Sequence, residues 1–331
     1  MHKFTIERLD DLKNKFKGKK IAIIGDLMLD CYFWGDVKRI SPEAPVPVLE
    51  LDNEFYRFGG AANVALNIIK LGATPVPIGI VGDDANAQIF KNLMTDSGIT
   101  NEGIIVDNSR PTTIKTRVIA GTQHIVRIDR ESKKYISKEI ETKIISYFSS
   151  KIAEFDGVIL QDYNKGVLTN SLIKKVIEIS NNHKKIVTVD IKFNNLFEYA
   201  DTTVFKPNRK EAIDATGLPI TNKDELKKVG EFLLEKLNAK YILITLGEGG
   251  SVLFEKGKEA KQTPTKARKV RDVSGAGDTV ISTLTVALVA GAEIYEAAYL
   301  ANYAGGLVCE EVGIIPIEAE KLIETVKADI L

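Results

Sequence analysis

The chain has 331 residues with 45 Lys and Arg against 45 Asp and Glu, so it is electrically balanced and carries no basic surplus for nucleic acid or an anionic membrane surface. That length supports a sizeable core, and the longest apolar run, Val280 to Ala290, is too short to span a bilayer. Cys31 and Cys309 make neither a metal spacing nor a disulfide framework, and the first twenty residues mix charged with apolar groups, unlike a signal peptide. A cytoplasmic protein without nucleic-acid or membrane partners is expected.

In chain order, Lys13, Lys15, Lys17, Lys19 and Lys20 read as the solvated end of a first helix. Lys20 to Ile24 is a buried strand ending at Gly25-Asp26. Ligands of open α/β sheets bind at that edge, so Asp26 and Asp30 are either polyol-binding groups or solvated loop acids. Tyr32 to Phe58, punctuated by Pro42, Pro45 and Pro47, predicts edge strands outside the main sheet, suited to a lid. Gly59-Gly60-Ala61-Ala62-Asn63 opens a helix to Leu71, where paired glycines permit either close approach to a ligand or tight packing. Strand Val76 to Val81 and helix Asp84 to Ser97 follow. Further strands are expected at Gly103 to Val106, Thr112 to Ala120 and His124 to Ile128. Lys115 and Arg117 share one strand face, as a phosphate clamp or as surface cations, and His124 is a structural polar group.

From Lys138 the pattern alternates strand and helix, which predicts a parallel sheet covered on both faces. Strands at Gly157 to Leu160, Ile186 to Asp190, Thr203 to Phe205 and Tyr241 to Thr245 each deliver polar residues at their carboxyl ends. Those ends carry Gln161 to Gly166, then Asp190 and Lys192, then Asn208 with Glu211. Asn208 and Glu211, three apart at a helix start, are an oxygen pair for hydrated Mg²⁺ or an N-cap with its capping-box partner. Thr245-Leu246-Gly247-Glu248-Gly249-Gly250 borders a nucleotide, forms a hairpin turn, or does both. No repeat or linker divides the chain, so one domain over 1–331 is expected, with lid segments near 31–58 and 112–128.

The chain is organised around Asp272-Val273-Ser274-Gly275-Ala276-Gly277-Asp278-Thr279 and the apolar run behind it. Glycines flanking an alanine allow a tight turn into a helix N-terminus, whose free amides and dipole attract an anion. Asp278 would repel that anion unless it takes a proton from an attacking hydroxyl. Phosphoryl transfer to an alcohol is one reading, and an Asp that stabilises a helix start is the other.

Together these motifs resemble the ribokinase-like (PfkB) family of carbohydrate kinases. Gly59-Gly60-Ala61-Ala62-Asn63 is similar to its amino-terminal glycine signature and Asp272 to Asp278 to its carboxy-terminal one, with Asn208-x-x-Glu211 between them. Gly25-Asp26-Leu27-Met28-Leu29-Asp30, Arg39 to Val48 (Arg-Ile-Ser-Pro-Glu-Ala-Pro-Val-Pro-Val) and Asp162-Tyr163-Asn164-Lys165-Gly166 further resemble the kinase domain of heptose-phosphate kinase/ADP-heptose synthase proteins. The resemblance implies an α/β ribokinase-like fold, ATP and Mg²⁺ as cofactors, and a homodimer joined through the lid. It also implies phosphorylation of D-glycero-β-D-manno-heptose 7-phosphate at the anomeric hydroxyl. Kinases for ribose or a fructose phosphate, and a non-catalytic sugar-binding regulator, are the alternatives. No His-x-Gly-His motif occurs, so phosphorylation without adenylylation is expected.

Carried onto this sequence, the resemblance makes Asp278 the base, with the amides of Gly275, Ala276 and Gly277 as the anion hole. Asp30, Gly59, Gly60 and Asn63 would grip sugar hydroxyls. Asn208 and Glu211 would organise Mg²⁺, while Thr245, Gly247, Gly250 and Asn302 would line the ATP site. Lys115, Arg117 or Lys165 would hold the 7-phosphate.

Overall fold

The computed structural model describes residues 4–192, 196–265, 270–311, 313 and 315–330, so the outermost ends of the expected 1–331 domain lie outside the described residues. In chain order the first half comprises α1 (Ile6–Phe16), β1 (Lys20–Gly25), β2 (Leu27–Ile40), β3 (Pro47–Gly60), α2 (Ala61–Lys70), β4 (Thr74–Val81), α3 (Ala85–Asp96), β5 (Ile104–Val106), β6 (Ile114–Ala120) and β7 (Gln123–Arg130). The second half comprises α4 (Lys138–Lys151), β8 (Gly157–Asp162), α5 (Asn170–Asn182), β9 (Ile186–Ile191), β10 (Val204–Lys206), α6 (Arg209–Thr216), α7 (Lys223–Leu237), β11 (Tyr241–Thr245), β12 (Ser251–Glu255), β13 (Lys261–Thr263), α8 (Ala276–Val289), α9 (Ile294–Cys309) and α10 (Ala319–Ile330).

The main sheet runs β13-β12-β11-β10-β9-β8-β1-β4-β5, parallel from β11 to β5 and antiparallel at the β12 and β13 edge. This is the mainly parallel α/β sheet, covered by helices on both faces, that the strand and helix alternation predicts. Alternate residues of β1 enter opposite cores: Ile21 and Ile23 pack with α1, α2, α8, α9 and α10, while Ala22 and Ile24 pack with α4, α5 and α7. A strand covered on both faces is apolar throughout, which is why Lys20 to Ile24 reads as a continuous hydrophobic run. Local signals set the helix starts. Thr5, Asp84, Ser137, Thr169 and Asn222 each accept a first-turn amide through a side-chain oxygen. The lysines in the last turn of α1 and at the start of β1 are paired at the surface: Lys13 with Glu320, Lys15 with Asp11 and Lys20 with Glu154.

A second sheet, ordered β3-β2-β6-β7, stands apart from the first. Its strands cover the segments expected as a lid, but β2 begins at Leu27 rather than near Tyr32. Asp30 is therefore a strand residue, paired across to Arg57 and Lys115, and not a loop acid. The first half of β2 is buried on both faces, so no polar alternation marks it as a strand. Trp34, Ile40, Val46, Leu51, Val126 and Ile128 remain exposed toward the far end of this sheet. His124 is also exposed there, on β7. Among the described residues no helix is long and apolar enough to cross a membrane.

Candidate active site

Helix α8 starts where Gly275 takes a left-handed φ of 80°, which lets the chain turn sharply without a Cβ clash. The turn is fixed upstream by Asp272, whose carboxylate accepts the Ser274 amide at 2.9 Å and the Gly313 amide at 3.1 Å. The helix is buried from Asp278 to Ala287 against α2 and α9, so its N-terminus cannot drift. Gly305 on α9 admits Val280 at a distance a Cβ would not tolerate. Of the three amides expected to form an anion cradle, that of Ala276 is turned inward to the Val273 carbonyl at 3.3 Å. The amides of Gly277 and Asp278 have no acceptor among the described residues, as befits a helix N-terminus facing a cavity.

That cavity has a volume of about 470 Å³ and lies at the carboxyl ends of the parallel strands. Gly275, Ala276, Gly277 and Asp278 form one wall, and Asn208, Glu211, Thr245, Gly247, Gly250 and Asn302 are among the residues that line the rest. Tyr163, Asp190, Lys192 and Lys206 also line it. Asn208 and Glu211 form a reciprocal capping box, with both side-chain-to-amide bonds at 2.8 Å. The second Glu211 oxygen lies 3.4 Å from the Lys192 ammonium. Asn302 donates to the Pro264 carbonyl at 2.8 Å.

Asp278 is buried, and its carboxylate accepts Asn63 Nδ2 at 2.7 Å, Tyr163 Oη at 2.8 Å and Gln161 Nε2 at 3.1 Å. Burial pushes its pKa up to about 6; the Asn63 bond opposes, and the Asp190 charge adds to the rise. Gln161 also reaches Asp190, which makes a buried 2.9 Å ion pair with Lys206. Burial by itself pushes the Lys206 ammonium down, and the Asp190 charge reverses this, so its pKa lies above the ordinary value. Asn63 Oδ1 and Gln161 Oε1 are buried without a hydrogen-bond donor among the described residues. Gln161, Tyr163, Asp190 and Lys206 were given no role from sequence. The available signal was polar residues at the ends of apolar strands, which does not say which of them turn inward.

The expected sugar-side residues fall in other places. Asn63 alone of that set touches Asp278, and none of the set lines the cavity. Asp26 is not a solvated loop acid: its carboxylate is buried and accepts the amides of Tyr163 at 2.7 Å, Lys165 at 3.0 Å and Val167 at 3.2 Å. It clamps the loop after β8, because β1 and β8 are neighbours and that loop folds over the end of β1. Asp30 accepts from Arg117 at 2.5 Å beside Gly59, where an added Cβ would lie 2.9 Å from Asp30 Oδ2. Gly60, at φ 57°, ends β3. The three expected phosphate-binding cations are each already paired. Lys115 meets Asp129 at 3.0 Å and Glu131 at 3.4 Å, Lys165 meets Glu131 at 2.7 Å, and Arg117 meets Asp30. Cross-strand pairing puts Asp129 opposite Lys115, which a strand-by-strand reading does not foresee.

A cavity walled by a helix N-terminus, with a raised-pKa carboxylate in the first helical turn, is equipped to align a phosphorylated donor against an alcohol. The family model described as pfkB family carbohydrate kinase matches residues 18–321, nearly the whole chain. The chain belongs to the pfkB family of carbohydrate kinases. Among other members, it is 42% identical over 307 residues to the "Bifunctional protein HldE" of Desulfatibacillum aliphaticivorans, covering 93% of this chain and 63% of that protein. It is likewise 42% identical over 295 residues to the protein of the same name from Helicobacter pylori strain ATCC 700392 / 26695, covering 89% of this chain and 64% of that one. The chain thus spans less than two thirds of the length of these relatives. By fold, this pfkB chain is similar to Arabidopsis thaliana ribokinase complexed with ribose and ATP, with a TM-score of 0.74, 20% identity, and coverage of 93% of this chain and 99% of that one. Phosphofructokinase-2 from Escherichia coli in complex with potassium gives a TM-score of 0.75 at 18% identity, covering 94% of this chain and 99% of that one.

Proposed function

We propose that the chain transfers the terminal phosphoryl group of ATP to the anomeric hydroxyl of D-glycero-β-D-manno-heptose 7-phosphate. The product is the 1,7-bisphosphate, a precursor in ADP-heptose synthesis for lipopolysaccharide, made in the cytoplasm. The observation that carries the kinase chemistry is Asp278 in the first turn of α8, beside unpaired first-turn amides, in a cavity of nucleotide size. The heptose assignment rests on the Arg39 to Val48 segment and on the similarity to the bifunctional relatives.

In this reading Asp278 takes the proton of the acceptor hydroxyl as the new O–P bond forms and the bond to the ADP oxygen breaks. The Gly277 amide, with Gly275 and Ala276 shaping the turn, receives the migrating group at the positive end of α8. Phosphoryl transfer is loose, so alignment and charge neutralisation supply most of the rate. Asn63, Asp30, Gly59 and Gly60 hold the sugar, and the donor-free oxygens of Asn63 and Gln161 suit sugar hydroxyls. Thr245, Gly247, Gly250 and Asn302 hold ATP. Lys115, Arg117 or Lys165 takes the 7-phosphate by exchanging a carboxylate partner for it.

Most oxygens of the Asn208–Glu211 pair are spent on the cap, and the described residues hold no cluster of three or more metal-binding side chains. This fits Mg²⁺ held near Glu211 chiefly through water and phosphate, where it would neutralise phosphate charge. The test is a panel of heptose 7-phosphate, ribose and fructose phosphates with ATP and Mg²⁺. Heptose 7-phosphate is expected to give the highest kcat/KM, and a higher value with another sugar would overturn the substrate. No turnover with any member would favour the regulator reading, against which the intact Gly275-Ala276-Gly277-Asp278 turn argues.

A further inference from the structure

We propose that Tyr163 is a positioning residue for Asp278: its hydroxyl holds the carboxylate ionised and oriented so that one lone pair stays open to the acceptor alcohol. This rests on the reading of Asp278 as the base. A carboxylate offers about four acceptor positions, and Asn63, Gln161 and Tyr163 occupy three of them. The two amide N–H groups only donate. The phenol both donates and accepts, so its contact persists after Asp278 has taken the substrate proton.

The phenol is fixed in place from below. Asp26 holds the Tyr163, Lys165 and Val167 amides, and Asp162 accepts the Asn164 amide at 2.8 Å and the Tyr199 hydroxyl at 2.7 Å. Asn164 and Gly166 both take positive φ, and a Cβ at Gly166 would overlap the Lys134 carbonyl. Lys165 is tied to Glu131 at 2.7 Å, and the Lys192 ammonium lies 5.2 Å over the Tyr163 ring. Among the described residues of this loop, the side chain that reaches Asp278 is that of Tyr163. The charged groups facing Asp278 are Asp190 and Lys192 from β9 and its end, and Lys206 from β10; Glu211 of α6 lines the same cavity. Burial keeps the phenol protonated, with its pKa well above the ordinary value, so it remains a donor throughout the working range.

The experiment is the pH profile of kcat/KM for Tyr163→Phe, with the apo Asp278 carboxyl followed by ¹³C NMR. A hydrogen bond donated to the ionised carboxylate favours the charged form, so its loss moves the acidic limb and the NMR midpoint upward by about one to two pH units. Activity is lost mainly on the acidic side, and the nucleotide KM holds. Asp26→Asn, which slackens the loop and keeps the phenol, is expected to move the limb in the same direction by less. A stationary limb and NMR midpoint in Tyr163→Phe, or an equal loss at every pH, overturns the proposal. Asp278→Asn separates the two readings. If it keeps turnover, the base assignment fails; if it is inactive while the Tyr163→Phe limb stays put, only the role of Tyr163 fails.

Discussion

At the scale of single residues, the raised pKa of Asp278 has a consequence with a definite sign. The base works ionised, so kcat/KM is expected to be flat above about pH 7 and to fall about tenfold per unit below the pKa of about 6. Asp278→Asn is expected to lower kcat about 10²- to 10⁴-fold while ATP still binds, measured by turnover beside calorimetric titration. Near wild-type kcat would exclude Asp278 as the base. Asp162 gives a stability prediction. Burial first, and the Asp26 charge second, raise it to about 7. A carboxyl raised on folding supports the fold fully below its unfolded pKa of about 4, and that support is lost as pH rises through 7. Asp162→Asn mimics the protonated acid, so urea midpoints from pH 4 to 8 should fall less steeply for the variant than for wild type. Parallel curves would mean that Asp162 does not titrate in this window.

Among the elements, α8 and the β3-β2-β6-β7 sheet divide the work. The helix start was legible because it is local: a glycine turn followed by an apolar run needs no partner to be recognised. The capping box of Asn208 and Glu211 was legible for the same reason, and its cavity-facing position follows from where β10 ends. The small sheet was seen as strands but misjudged at its root, since β2 emerges from the core and carries Asp30 with it. If this sheet closes over the sugar and excludes water, ATP hydrolysis without sugar should run at least about tenfold slower than transfer with it. Equal rates in a coupled assay would count against closure.

For the whole molecule, the main sheet buries both faces, whereas the small sheet leaves Trp34, Ile40, Val46, Leu51, Val126 and Ile128 in solvent. Exposed apolar side chains of this number are what a homodimer joined through this sheet would cover, and that arrangement can be tested directly. Light scattering should show a dimer, and Val126→Lys with Ile128→Lys should give monomers that melt near the wild-type temperature. Monomer alone from the wild type would remove the dimer.

What the sequence determined by itself is whatever depends on neighbours along the chain: the strand and helix alternation, the α8 turn, the caps and the family signatures. Tertiary structure decided which polar residues meet. Asn63, Gln161, Tyr163 and Asp278 come from α2, β8, its loop and α8, and they converge only because β1, β8 and β9 lie side by side. The same packing set Asp26 against the amides of the loop after β8 and gave Lys115, Arg117 and Lys165 carboxylate partners. Side-chain partnership is a matter of through-space distance, and residues as far apart in the chain as Asn63 and Asp278 acquire it only when the sheet and its helices close.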